Sequence, residues 1–387
     1  MNYYWLLFFD ANQPRRPAVL RQLLANRQKG SALYFGMLAN WLQYIGLFSG
    51  FDEAKFDHEI QQLVTAAYLE AGVAGLTLSA KGVEFINEND LKLELAQPKL
   101  FRIFPMELVA NLILLAVQVA SEASYQNKQY YVVTDNVYSQ YLFKRWLTQS
   151  NFGLIGLQEE NQNKQYYVVT DNVYSQYLFK RWLTQSNFGL IGLQEEIVAS
   201  LATFLANEPP QKAAIFAQKL RGHNFPGQTN EQLATIYGKF PFEIEQIWLD
   251  LLSRFAYYLY QGDGKLAELM ALTQPNFEPV RASRFKTINA FMAGNTIKKI
   301  ASRLHIKENT VLDHLYEAYI WHGKPDLLKL VSAKEQELMT KLFVETKSQE
   351  EWSYQDLVAV QPEIAFYKFR IFEIARGRKR WQTSSNF

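Results

Sequence analysis

The residues from Gly294 to Leu315 restrict the fold more than any other stretch of the chain. Gly294 can end one helix and Thr296 can cap the next, because glycine tolerates a left-handed backbone and a threonine hydroxyl accepts a free N–H. Apolar side chains then recur at helical spacing; they are Ile297, Ile300, Ala301 and Leu304, then Val311 and Leu315 after a turn at Ile306. This spacing predicts two short helices that cross steeply, a helix-turn-helix.

The second helix of such a motif enters the major groove of DNA, and the first lies over the backbone. The candidate phosphate contacts are Lys298, Lys299 and Arg303, and the candidate base contacts are Lys307, Asn309, Thr310 and His314. Asn309 can pair with adenine, and Lys307 with guanine or a phosphate. Asp313 and Glu317 oppose this interpretation because they add negative charge to the reading helix. For His314, a packed histidine is the alternative.

The positive charge of the chain is concentrated at its C-terminal end. From Arg281 onward there are 18 Lys or Arg residues against 12 Asp or Glu, whereas the rest has 22 against 26. A basic cluster beside Trp381 completes the chain; it comprises Lys368, Arg370, Arg376, Arg378, Lys379 and Arg380. Cationic side chains beside an aromatic ring suit single-stranded nucleic acid. A solvated tail is the equal alternative.

The composition limits the possible chemistry. The chain has 387 residues, 48% of them hydrophobic and 20% charged, which is typical of a soluble globular protein of two or three domains. The absence of cysteine excludes disulfides and thiolate metal sites. The sequence contains no phosphate-binding loop, dinucleotide-binding glycine motif, zinc-protease motif or nucleophile elbow. We therefore predict a protein that is not an enzyme and has no cofactor or metal, although an unfamiliar carboxylate site stays open.

A long exact repeat occupies the middle of the chain. Residues 126–160 and 162–196 are identical, with Asn161 between them. Repeats that build solenoids diverge and come in threes or more, so this pair indicates a recent tandem duplication or an error of sequence assembly. In each copy an aspartate, Asp135 or Asp171, can cap a helix. A fold that evolved with one copy has one packing site, so only one copy needs to pack natively.

The helical spacing of most other segments predicts an all-α, multi-domain protein. We predict a helical or winged-helix-like domain over 1–92, a helical middle region with the duplication over 98–272, and the helix-turn-helix domain over 281–387, after a linker at 273–279. A short extended piece before Ser79 resembles the last strand and turn of winged-helix domains, and a structural helical domain is the equal alternative. The apolar stretch 106–120 is expected to be a buried helix too short to span a bilayer. We expect no membrane partner and a bacterial cytoplasmic location.

The stretches Ile300–Ala301, Thr310–Val311 and 314–317 resemble the C-terminal helix-turn-helix domain of some RecQ-type helicases. Residues 363–371 look like the closing helix of that domain. The whole chain is similar to the stand-alone YpbB-like helix-turn-helix proteins of Firmicutes, although the duplication departs from them. The resemblance implies an accessory protein that binds DNA and works with a separately encoded RecQ-like helicase in repair or recombination.

Two other functions stay open at the level of sequence. A transcription regulator would need a dimer to span two half-sites, and the sequence has no strong heptad seam. A protein-interaction scaffold would use the helix-turn-helix only as structure, which the acidic residues of the reading helix favour.

Overall fold

The structure is a computed structural model that describes residues 2–48, 52–125, 170, 172–185, 189–346, 349 and 352–384. Within these residues the regular elements are helices, apart from two short strands, which confirms the all-α prediction. The chain forms two compact units: Met1–Lys92 together with Phe277–Phe387, and Leu93–Asn276. The second boundary lies inside the predicted linker 273–279. The first and third of the three predicted domains, 1–92 and 281–387, share one unit.

The N-terminal segment of the first unit contains four α-helices, two short 3-10 helices (Tyr3–Phe8 and Leu42–Tyr44) and a hairpin. The α-helices and strands are α1 (Pro17–Leu24), α2 (Gly30–Leu38), α3 (Glu53–Thr65), β1 (Leu69–Gly72), β2 (Gly75–Leu78) and α4 (Ala80–Glu88). The strands are antiparallel, with Leu69 opposite Leu78, and Arg15 pairs with Leu76 at the edge. Ser79 begins α4: its Oγ accepts from the Gly82 N–H at 3.0 Å. This confirms the extended piece and cap, and the helices followed by a hairpin fit the winged-helix-like alternative.

The regular elements that the structure describes in the second unit are all helices. Its helices are α5 (Leu100–Ile103), α6 (Met106–Ser124), α7 (Val173–Gln185), α8 (Gly189–Leu205), α9 (Pro210–Lys219), α10 (Asn230–Tyr237), α11 (Pro241–Gln261) and α12 (Lys265–Ala271).

Helix α6 is the core helix of this unit. It packs against α7, α8 and α11, and Leu112, Ile113 and Leu115 are fully buried. By length and composition alone its 19 residues can cross a membrane, so the expectation that this stretch is too short was wrong. The burial of its apolar face against three helices explains the hydropathy as that of a protein core.

The second copy of the repeat belongs to this core. Helix α7 lies within it and directly follows Asn172, whose Oδ1 accepts from the Ser175 N–H at 2.9 Å. Trp182 is buried, and its indole N–H donates to the Lys265 carbonyl at 3.1 Å. Glu196, the last residue of the copy, accepts from the N–H groups of Lys265 and Leu266 at the start of α12. The predicted caps Asp135 and Asp171, and the first copy, lie outside the described residues.

The C-terminal segment completes the first unit. Its helices are α13 (Phe285–Met292), α14 (Ile297–Leu304), α15 (Glu308–His322), α16 (Ala333–Met339), α17 (Tyr354–Val360) and α18 (Phe366–Ser384), and a π-helical turn, Thr340–Val344, follows α16. Helix α15 packs against both α2 and α18. These contacts explain why the two ends of the chain form one unit.

Candidate nucleic-acid interface

Helices α13, α14 and α15 form the predicted helix-turn-helix. Gly294 follows α13 with a φ of +85°, and the Thr296 Oγ accepts from the Lys299 N–H at 3.3 Å. Both predicted terminal residues therefore act as expected. The residue that follows α14 is His305, which adopts a left-handed φ of 53°. The left-handed residue after a helix is usually a glycine or an asparagine, so the sequence did not predict this conformation for a histidine.

The apolar pattern packs as the spacing predicts. Ile300, Ala301, Val311 and Leu315 are buried between the helices. Ile297, Leu304 and Ile306 are half-buried. The pattern thus specifies the crossing of α14 and α15, and it leaves Lys298, Lys299, Arg303 and Asn309 at the surface.

Four cationic side chains on this surface are exposed: Lys298, Lys299, Arg303 and Lys307. We call them the basic face. The first three belong to α14, and Lys307 is the N-cap of α15, with no side-chain cap hydrogen bond among the described residues. Asn309 is exposed in the first turn of α15, and Thr310 is half-buried. The structure therefore leaves six of the predicted contact residues at least partly accessible.

His314 lies in the core and is not accessible to a base edge. It is 8% exposed, and its Nδ1 is 2.9 Å from the Thr287 Oγ. Burial, together with the positive charge of Arg284, lowers the pKa of His314 to about 4. The ring is therefore neutral at pH 7 and packs α15 against α13. This corrects the inclusion of His314 among the base contacts.

Glu317 does not present its charge to the surface either. It is 2% exposed, and its Oε2 lies 3.2 Å from the Arg284 Nε. Its Oε1 accepts from the Arg281 N–H at 3.1 Å. Because the carboxylate is paired inside the fold, Glu317 no longer opposes DNA binding. Asp313 remains exposed.

Most of the remaining surface of α15 is covered by the protein itself. Leu312, Tyr316 and Ile320 are buried, and the helix packs against α2 and α18. The approach of α2 is close, because a Cβ on Gly30 would lie 2.8 Å from the Asp313 Oδ1. Beyond the first turn, Asp313 is the only exposed residue of α15 before His322. The sequence did not predict the packing of α2 against α15, because Gly30 and Asp313 are far apart in the chain.

The C-terminal basic cluster divides between structural and exposed residues. The Arg376 guanidinium donates to the Thr340 Oγ at 3.1 Å, and the Arg378 Nε donates to the Ile320 carbonyl at 3.2 Å. Trp381 is buried against Trp321 and offers no open stacking face. The structure thus corrects Arg376 and Arg378 to residues that hold helices together. Lys379 and Arg380 are exposed.

The depressed pKa of His314 gives a pH prediction. Because the pKa is about 4 in the folded state and 6.5 ordinarily, the contribution of the neutral ring is complete above pH 6.5 and is lost as the pH falls toward 4. We expect the difference in Tm between the wild type and His314→Gln to shrink over that interval. Calorimetry from pH 4 to 8 measures it, and a constant difference would contradict the buried neutral ring.

The comparisons with known proteins agree with this geometry. Residues 283–373 match a family model described as a helix-turn-helix domain. Searches of curated proteins and of solved structures find no match. The matched residues begin just before α13 and end within α18. The C-terminal segment of the chain therefore contains a helix-turn-helix domain.

Proposed function

We propose that the protein binds duplex DNA through the basic face. The observation that carries this proposal is the exposure of Lys298, Lys299, Arg303 and Lys307 on a folded helix-turn-helix. Cationic side chains bind phosphates, displace condensed counterions and supply most of the affinity that does not depend on sequence. The motif supplies the shape, and the four cations supply the attraction.

The proposed binding has little sequence preference. Base edges would be within reach of the first turn of α15, at Lys307, Glu308 and Asn309, whereas Leu312, Tyr316 and Ile320 are buried. A helix read along only one turn contacts few base pairs, and phosphate contacts carry no sequence information. This favours an accessory DNA-binding protein over a sequence-specific regulator.

The finer function that we propose is that of a non-catalytic partner of a separately encoded RecQ-like helicase in DNA repair or recombination, in the bacterial cytoplasm. It is supported by the resemblance of residues 300–317 to helicase-associated helix-turn-helix domains. Co-sedimentation with a RecQ-type helicase, with and without forked DNA, tests the partnership. Independent sedimentation under both conditions would contradict it.

A second candidate function is a protein-interaction scaffold. The observation that favours it is the packing of α2 and α18 against α15. A reading helix that is covered in this way stabilises the fold and has little surface left for DNA. In this alternative the basic face is an ordinary solvated surface.

Fluorescence anisotropy of the full chain with duplex DNA across a salt series separates the two candidates. We expect Lys298, Lys299 and Arg303 changed together to alanine to reduce the slope of log K against log salt by about 3. A matched control removes three exposed lysines elsewhere, Lys55, Lys334 and Lys341, and is expected to bind like the wild type. Equal losses in both variants, or no binding at low salt, would favour the scaffold.

A further inference from the structure

The first unit contains a cleft of about 590 Å³ that the helix-turn-helix does not use. It lies between helix α2, the residues just before α1, the tip of the hairpin, and helices α17 and α18. Seven aromatic side chains contribute to its wall. Phe366 is 48% exposed, and Phe35, Trp352 and Tyr354 are half-buried. Rings that keep open surface around a concave site are typical of a ligand pocket.

The same wall carries an excess of positive charge. Three arginines line the cleft, Arg15, Arg16 and Arg370, against one carboxylate, Glu373. The Arg16 guanidinium lies 4.0 Å from the centroid of the Phe35 ring, and the Arg370 guanidinium lies 5.4 Å from it. Guanidinium groups held on aromatic faces keep their N–H donors in a fixed plane, which suits the bidentate binding of a phosphate.

Glu373 supplies a buried hydrogen-bond acceptor in the lining. It is 4% exposed, and its Oε1 accepts from the Tyr34 hydroxyl at 3.0 Å. Its Oε2 lies 3.1 Å from the Arg370 Nη1, yet within the described part of the chain neither atom has a well-aligned hydrogen bond. Burial raises the pKa of Glu373 to about 7, against the opposing effects of Arg370, Tyr34 and Arg16. A buried carboxylate oxygen that is ion-paired but has no well-aligned hydrogen bond is unusual, and it can accept from a ligand that donates.

We propose that this cleft binds a nucleotide, with its base stacked on the aromatic wall, its amino group donating to Glu373 and its phosphate held by Arg16. The nucleotide arrives either as an unpaired base of single-stranded DNA or as a free mononucleotide, since both present this chemistry. The site is separate from the basic face and does not require that face to bind DNA.

Each element of the lining corresponds to one part of a nucleotide. Base–aromatic stacking tolerates every base, because every base has a π face. A carboxylate acceptor selects bases with an exocyclic amine, as when Glu accepts from cytosine N4. Adenine also carries such an amine, whereas thymine does not, so the cleft is expected to prefer dA over dT.

The test uses the full chain with labelled dA12 and dT12, and with unlabelled dAMP as competitor. The variants are Arg16→Gln and Phe366→Ala, both at exposed positions, so that little core packing is lost. The matched control is Lys55→Gln, another exposed cation that does not line the cleft. Thermal unfolding checks that each variant folds like the wild type.

We expect dA12 to bind more tightly than dT12, and each cleft variant to weaken dA12 by at least about five-fold. The Lys55→Gln control and the Lys298/Lys299/Arg303 variant are expected to retain this preference for dA12, even if the latter loses duplex binding. Competition by dAMP, or binding of dAMP alone, supports the site and identifies the free mononucleotide as a sufficient source. Equal affinity for dA12 and dT12, cleft variants that bind like the wild type, or no binding of either dA12 or dAMP would overturn the proposal.

Discussion

Replacing Arg284 by alanine is expected to destabilise the unit that contains the helix-turn-helix by about 3 kcal/mol. Arg284 lies 3.2 Å from Glu317, whose side chain is 2% exposed. Without the guanidinium, the carboxylate keeps only the Arg281 N–H among its described hydrogen-bond partners, and it stays buried. An uncompensated buried charge is more costly than a lost surface pair. Breaking a buried pair usually costs about 3–5 kcal/mol, and because Arg284 is partly exposed we expect a value at the lower end of that range.

Urea unfolding followed by circular dichroism measures the loss. The double variant Arg284→Met with Glu317→Leu is the control, because it removes both charges and keeps apolar volume, and we expect it to recover most of the stability. Glu317→Gln alone is expected to be milder than Arg284→Ala, since the amide oxygen can still accept from the Arg281 N–H. A loss below about 1 kcal/mol in Arg284→Ala would mean that the pair behaves like a surface ion pair.

The features that the sequence predicts correctly are local ones. Thr296 caps its helix, Gly294 is left-handed, and Ser79 begins α4 after a short strand. Each of these depends on residues within a few positions of one another in the chain. At that separation the residue types themselves predict the hydrogen bonds and the backbone conformation. The helix-turn-helix could be predicted for the same reason, because its apolar spacing is contained in a single stretch.

What the sequence could not predict depends on contacts between distant residues. His314 and Arg378 are residue types that often contact DNA. Their hydrogen-bond partners, Thr287 and Ile320, lie on other helices, so the sequence alone does not show that these side chains are engaged. The cover over α15 depends on Gly30 meeting Asp313. The nucleotide cleft combines α2 with α18 in the same way. Periodicity shows that a face is apolar, and it does not show which helix will cover that face.

The exact repeat places the same tryptophan at two positions, Trp146 and Trp182, so that one position serves as the control for the other. Trp182, in the second copy, is 4% exposed and donates to the Lys265 carbonyl. Trp146 is the identical residue of the first copy and lies outside the described residues. Truncating a buried tryptophan to alanine costs about 3–5 kcal/mol through lost burial and the cavity that remains. We expect Trp146→Ala to change the free energy of unfolding by less than about 0.5 kcal/mol, because a fold that evolved with one copy needs one packing site, and within the described residues the second copy fills it.

Trp182→Ala alone is expected to cost less than the full amount, because the intact first copy can supply the same helix to the vacated site. That exchange lengthens the connection to α8, but loop-closure entropy grows only by about 0.6 kcal/mol for each doubling of loop length. The double variant removes the substitute and is expected to show the whole 3–5 kcal/mol. Urea unfolding of the wild type, both single variants and the double variant measures this coupling as a double-mutant cycle. Equal losses from Trp146→Ala and Trp182→Ala would show that both copies pack, and that the duplication has acquired a structural role.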